Sequence, residues 1–179
     1  MKALKQIVAA GFIDNVAIRA DLLPNSEFKL NKIKLATQIP FVTLFPSGDR
    51  PSAEIGDRSA FLHASSVLAS SQNAKPEYVI YSELTRSSTG SGRVWMKPLT
   101  TIKGGQLASL AEGTPLITYS KPLESKPPRV LPDADGKRRE VWVVPRVGAA
   151  LGNSGLGWSL PPQRIIQKRE GLSQKWVKE

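Results

Sequence analysis

The residues of this chain with a capacity for chemistry are one histidine, a set of lysines and arginines, and four tryptophans. A lone histidine cannot assemble a multi-histidine metal site. His63 could serve a Ser-His-Asp arrangement, but it sits in the apolar stretch Phe61-Leu62-His63-Ala64-Ser65, where a structural role is expected. With no cysteine in the sequence, disulfides, thiolate metal sites and cysteine nucleophiles are excluded, which suits an intracellular protein. The phosphate-cradling pattern Gly-x-x-x-x-Gly-Lys-Ser/Thr does not occur. The glycine clusters Gly90-Ser91-Gly92 and Gly152 to Gly157 lack the dinucleotide spacing and read as turns. A nuclease needs clustered acids, and residues 61–120 hold only Glu77, Glu83 and Glu112. On these residues alone the chain does not read as an enzyme.

The cations are more informative. Twenty-five Lys and Arg against 15 Asp and Glu leave 179 residues with a net charge of +10. Residues 121–179 carry twelve bases and six acids, including the run Lys137-Arg138-Arg139. Between Glu83 and Glu112 there is no acid, while Arg86, Arg93, Lys97 and Lys103 fall in that gap. Such a stripe suits a nucleic-acid backbone, whose affinity is dominated by cation–phosphate contacts. It equally suits a solvated face that keeps a basic protein dissolved.

Positioning these residues requires elements with the right periods. Leu4, Ile7, Val8, Phe12 and Val16 recur at three- and four-residue spacings and predict an amphipathic helix over 3–19, resembling the edge of a helical layer outside the chain. Phe41–Phe45 between two prolines is a strand candidate, followed by loop composition over 47–58. The pattern then turns to β: 61–63, 77–85, 93–97 with 99–102, 114–119 and 140–145, with a helical turn at 107–110. Gly and Ser at 87–92 supply a hairpin, Asp133–Gly136 a turn, and 148–157 a glycine-rich loop. Residues 163–168 read as a last strand or a short helix before a polar tail. No apolar run approaches the roughly 18–20 residues of a bilayer-spanning helix, so no membrane partner is expected. Short strands with Gly and Pro turns predict a mainly β protein, a small barrel or sandwich.

Three ordered blocks carry a resemblance. Leu62-His63-Ala64-Ser65-Ser66-Val67-Leu68, Pro76-Glu77-Tyr78-Val79-Ile80-Tyr81-Ser82-Glu83-Leu84 and Val94-Trp95-Met96-Lys97-Pro98-Leu99-Thr100-Thr101-Ile102 resemble the oligonucleotide-binding (OB) fold of DEAH-box RNA helicases. Ala64 stands where that family usually has Pro, and Trp95 where it has Tyr. Gly11 to Ala17 resembles the last helix of the helical bundle that precedes this fold. The resemblance implies three parts: 1–23 as that helix, 24–125 as an OB-like antiparallel barrel with an insertion at about 24–60, and 126–179 as a β-rich extension packing on the barrel. The wider pattern looks most like the subgroup acting in small-subunit ribosome biogenesis.

What the resemblance implies for function is a non-catalytic module of an ATP-dependent helicase. Its two motor domains would lie outside this chain, and ATP and Mg would be bound by them rather than here. The implied partners are single-stranded RNA (pre-rRNA and guide snoRNA), the motor domains in cis, and a protein activator of ribosome assembly, in the nucleus and nucleolus. Carried onto this sequence, Ser65 and Ser66 would offer hydroxyls near phosphates, and Arg86, Arg93 and Lys97 cations, with Lys97 the leading candidate. The flanks Val94 and Met96 point to a core position for Trp95; an outward ring would instead be a stacking platform. Residues 126–179 are left with three roles: docking a partner, touching RNA, or bracing the motor domains. Exposed Trp142, Trp158 or Trp176 would favour docking.

Overall fold

The computed structural model describes residues 2–24, 26–33, 35–44, 59–70, 75–88, 92–132, 137–148, 157–170 and 175–179. The loops expected at 47–58 and 133–136, and all but the ends of the one at 148–157, lie outside them. Helix α1 (Lys2–Gly11) stops at Gly11, and after a turn closed by the Asn15 N–H on the Phe12 carbonyl (2.9 Å) the chain enters strand β1 (Val16–Arg19). The helix expected over 3–19 is therefore corrected to a helix followed by a strand. The reason is physical: β1 is buried on both faces, so its sequence shows no alternation, and Val16 falls in helical register with Phe12 by coincidence.

Strands β1, β2 (Pro40–Thr43), β3 (Ser59–Leu62), β4 (Tyr78–Arg86) and β5 (Val94–Ile102) close into a barrel in the order β1-β2-β3-β5-β4, with β4 returning to β1. All neighbours are antiparallel except β3 and β5, whose parallel pairing sets Phe61 beside Trp95. A short helix α2 (Val67–Ser70) lies between β3 and β4 in sequence. The barrel thus takes its first strand from residues ahead of 24, the expected start of this unit. Strand β5 runs unbroken through Pro98, opposite Tyr81, where the β4 register slips twice. A bulge of this kind is where a sheet tolerates a residue without an N–H.

The remaining elements are α3 (Gly104–Leu110), β6 (Ile117–Tyr119), β7 (Arg129–Val130), β8 (Arg138–Val143), β9 (Pro145–Val147), β10 (Trp158–Ser159), β11 (Gln163–Glu170) and β12 (Lys175–Lys178). They form a three-stranded sheet, β10-β9-β6, and a four-stranded sheet, β12-β11-β8-β7. Residues 163–168 are strand, and the polar tail contributes one more.

Alternation on the two-sided strands divides the core. Ala17, Phe41, Leu62, Val79, Val94 and Met96 fill one cluster inside the barrel. Val16, Ile18, Val42, Leu44 and Ile80 point the other way, into a second cluster completed by Leu107, Leu116, Ile117, Val147, Trp158 and Leu160. The barrel wall is therefore also the core of the C-terminal half. Two glycines permit that closeness. A Cβ at Gly104 would stand 2.6 Å from Pro161 Cδ, and one at Gly148 (φ +79°) would stand 2.6 Å from Leu44 Cδ1. Beside Gly104, the Gln163 side-chain amide donates to the Gly105 carbonyl at 3.0 Å.

Candidate nucleic-acid interface

On β5 every second residue from Arg93 to Lys97 faces away from the barrel interior, because Val94 and Met96 are buried between them. Trp95 is therefore not a core residue, and the expectation from its apolar flanks is corrected. Its ring is half-buried on the outer face, edge-on to Phe61 (centroids 6.3 Å apart, 63°) and to His63 (6.3 Å, 81°). The Arg93 guanidinium carbon lies 4.5 Å from the Phe61 centroid and 5.5 Å from that of Trp95. Cation–π attraction holds it over both rings. The result is a small aromatic face with a planar cation on it.

Lys97 extends the same face. Its ammonium is ion-paired with Glu83, the residue opposite it on β4. Both partners are about half exposed, with side chains at 55% and 51%, so the pair is worth at most about 1 kcal/mol. His63 closes the other side. The Ser65 hydroxyl lies 2.7 Å from His63 Nδ1, and the Ser65 N–H donates to the same nitrogen at 3.2 Å. That backbone donor makes Nδ1 an acceptor and leaves the ring proton on Nε2.

The other predicted residues are placed apart. The Ser66 hydroxyl accepts the Leu68 N–H at 3.1 Å at the start of α2 and serves the backbone there. Arg86 pairs in register with Val94, an inward position, and so sits at the barrel rim on the side opposite Trp95. Lys103 lies beyond the far end of β5, about 20 Å from Lys97 at roughly 3.3 Å per residue. The structure thus brings Arg93, Trp95, Lys97 and Ser65 to one face, and adds Phe61 and His63, which the sequence reading did not assign. The alternation Arg93-x-Trp95-x-Lys97 was the available signal; the parallel partner strand carrying Phe61 left none.

Two further aromatic–cation contacts lie on opposite faces of the β12-β11-β8-β7 sheet. Lys126 Nζ is 3.7 Å from the Trp142 centroid, and Arg139 and Arg169 stand 4.1 and 5.3 Å from that of Trp176. Burial, and then the neighbouring Arg169, lower the pKa of Arg139. Ile166 and Val177 are exposed on this sheet, whereas Trp158 is core. Among the described residues no three metal-ligating side chains come together, and no helix is long and apolar enough to cross a membrane.

The geometry of a closed five-stranded barrel with α2 between β3 and β4 agrees with what the chain is similar to. Residues 4–114 match the family described as oligonucleotide/oligosaccharide-binding (OB)-fold. The chain is 38% identical over 177 residues to the Schizosaccharomyces pombe protein named as ATP-dependent RNA helicase PB1A10.06c, covering 99% of this chain and 12% of that protein. It is 31% identical over 171 residues to the Saccharomyces cerevisiae protein named as ATP-dependent RNA helicase DHR1, covering 95% of this chain and 13% of that protein. The chain therefore spans about an eighth of the length of these curated relatives. With three sequence blocks, a closed barrel and both relatives in agreement, the chain belongs to the OB-fold family that forms the C-terminal barrel of DEAH-box RNA helicases.

Proposed function

We propose that this chain is the RNA-guiding C-terminal module of an ATP-dependent helicase, and that the outer face of β3 and β5 holds single-stranded RNA. The observation that carries the reading is the juxtaposition of Phe61, Trp95 and Arg93, flanked by Lys97. Single strands are held by stacking on aromatic or guanidinium planes and by cations along the backbone. A base stacks on the outer side of the Arg93 plane, or on Trp95 once Arg93 swings to a phosphate. Lys97 then exchanges Glu83 for phosphate, while the Ser65 hydroxyl donates to His63 Nδ1 and holds that ring edge-on to Trp95.

The Gly-x-x-x-x-Gly-Lys-Ser/Thr pattern does not occur in the sequence, and on this reading ATP and Mg belong with motor domains of the parent protein. The further reading, remodelling of pre-rRNA and snoRNA pairing in small-subunit assembly within the nucleolus, rests on the sequence resemblance and on the likeness to DHR1. Docking of an activating protein belongs to the β12-β11-β8-β7 sheet, where exposed Ile166 and Val177 supply apolar contact.

Fluorescence anisotropy with labelled oligouridine tests the RNA face. Arg93→Ala with Lys97→Ala is expected to weaken binding about tenfold at low salt, to a similar extent across sequences, and to flatten the salt dependence. Trp95→Ala is expected to cost a further 5-fold or more, of the order of one stacked base. Wild-type affinity in both variants would refute the RNA face.

A further inference from the structure

At the opposite end of β5 from the aromatic face lies a cleft of about 680 Å³ between α1, the start of β4 and the start of α3. Three lysines from separate segments converge on it: Lys5 from α1, Lys75 ahead of β4 and Lys103 at the N-cap of α3. No ion pair ties any of them to an acid among the described residues, and Glu77 is the one carboxylate on the cleft wall. The walls are fixed rather than incidental. Arg19, 9% exposed, is held by Asp21 (2.6 and 3.2 Å) and donates to the carbonyls of Lys75 and Pro76, which pins the segment carrying Lys75. Gln106 Oε1 accepts the Lys103 N–H at 3.3 Å, leaving its NH₂ directed to other acceptors. Thr101 adds a hydroxyl to the lining.

A concave site with three ammonium groups against one carboxylate, and with amide and hydroxyl donors, fits a chain of phosphates better than a single small anion. We propose that this cleft is a second backbone subsite for the same RNA strand, about 20 Å along β5 from the aromatic face at roughly 3.3 Å per residue. The inference rests on the RNA reading of that face and extends it: bases are gripped at one end of the strand and phosphates at the other. The strand lies along the outer side of β5, and its length decides whether both subsites are engaged.

The test uses the 179-residue chain, its fold checked by circular dichroism, with oligouridines of about 4 and about 12 nucleotides, the range of OB-fold site sizes. Lys5→Gln, Lys75→Gln and Lys103→Gln combined are expected to weaken binding of the longer oligomer about tenfold while leaving the shorter one unchanged. The slope of log affinity against log salt is expected to fall by about 2, for three single-strand phosphates at about 0.7 each. Arginine at the same three positions is expected to restore both. Unchanged affinity and slope for the longer oligomer in the glutamine variant overturns the cleft, even where the Arg93/Lys97 variant still loses binding and the aromatic face stands. Loss in the lysine variant with none at Arg93, Trp95 and Lys97 leaves the cleft as the RNA site and removes the aromatic face.

Discussion

At the scale of single residues, the ion pair between Lys97 and Glu83 sets how much positive charge the outer face of β5 offers. Glu83→Gln releases Lys97 without altering the strand, so oligouridine affinity is expected to rise about two- to threefold at low salt. Stability should move by less than about 0.5 kcal/mol, because exposed pairs contribute little. Anisotropy and a thermal melt on the same sample check both halves. Buried ionisable groups govern stability at the alkaline end. Burial pushes the Tyr81 phenol up to about 12 from an ordinary 10.0. Unfolded chains ionise that phenol from about pH 10 while folded ones resist to about 12, so the stability held below pH 10 is lost as pH rises through that window. Burial alone would lower the Lys178 ammonium, but its hydrogen bonds to Glu112 and Tyr119 outweigh it and raise the pKa. That contribution too is lost as pH rises through the raised value. Urea titrations at pH 8 and pH 11.5 are expected to show a smaller alkaline loss in Tyr81→Phe than in the wild type.

Elements in this protein owe their positions to a few close approaches. Gly148 combines a left-handed backbone with contact against Leu44, and its N–H donates to the Leu116 carbonyl at 2.7 Å, tying the end of β9 to the segment before β6. Any side chain there meets both penalties. Gly148→Ala is expected to destabilise by about 2 kcal/mol or more through strain and overpacking, read as a lower urea midpoint with an unchanged slope. Helix α1 shows the opposite behaviour. Its stripe is legible in sequence, yet Leu4 and Ile7 are 65% and 69% exposed. Its inward side is represented by Ala9, which joins the barrel's second core cluster. The stripe named a helix but ran past its end at Gly11 to Phe12 and Val16, and said nothing about what it packs on.

For the whole molecule, the decisive feature is a core shared between barrel and extension. Trp158 and Leu160, from the last third of the chain, pack in the same cluster as Val16 and Ile80. Removing the Trp158 side chain is expected to cost about 3–5 kcal/mol and to weaken both parts together. In Trp158→Ala, far-UV circular dichroism and the fluorescence of the remaining tryptophans should therefore fall in one coincident transition, as for a two-state unit. Separate transitions would mean that the extension folds on its own. The ion pair of Lys178 with Glu112 (2.6 Å) and its hydrogen bond to Tyr119 (2.8 Å) link the final strand to the rest from the other side.

Several features of this protein were determined by sequence alone: the β character of 77–85 and of 93–97 with 99–102, the cationic stretch without acids, and the family to which the three blocks point. These are local properties, written in alternation, charge and motif. Tertiary structure alone decided that Val16–Arg19 is a strand, that Trp95 faces outward beside Phe61, and that Lys103 parts from Lys97 to join Lys5 and Lys75. A strand covered on both faces carries no alternation, and a parallel pairing between distant segments leaves no trace in either one. Charges near in sequence are drawn about 20 Å apart by an extended strand at roughly 3.3 Å per residue, while barrel closure gathers cations from three separate segments around one cleft.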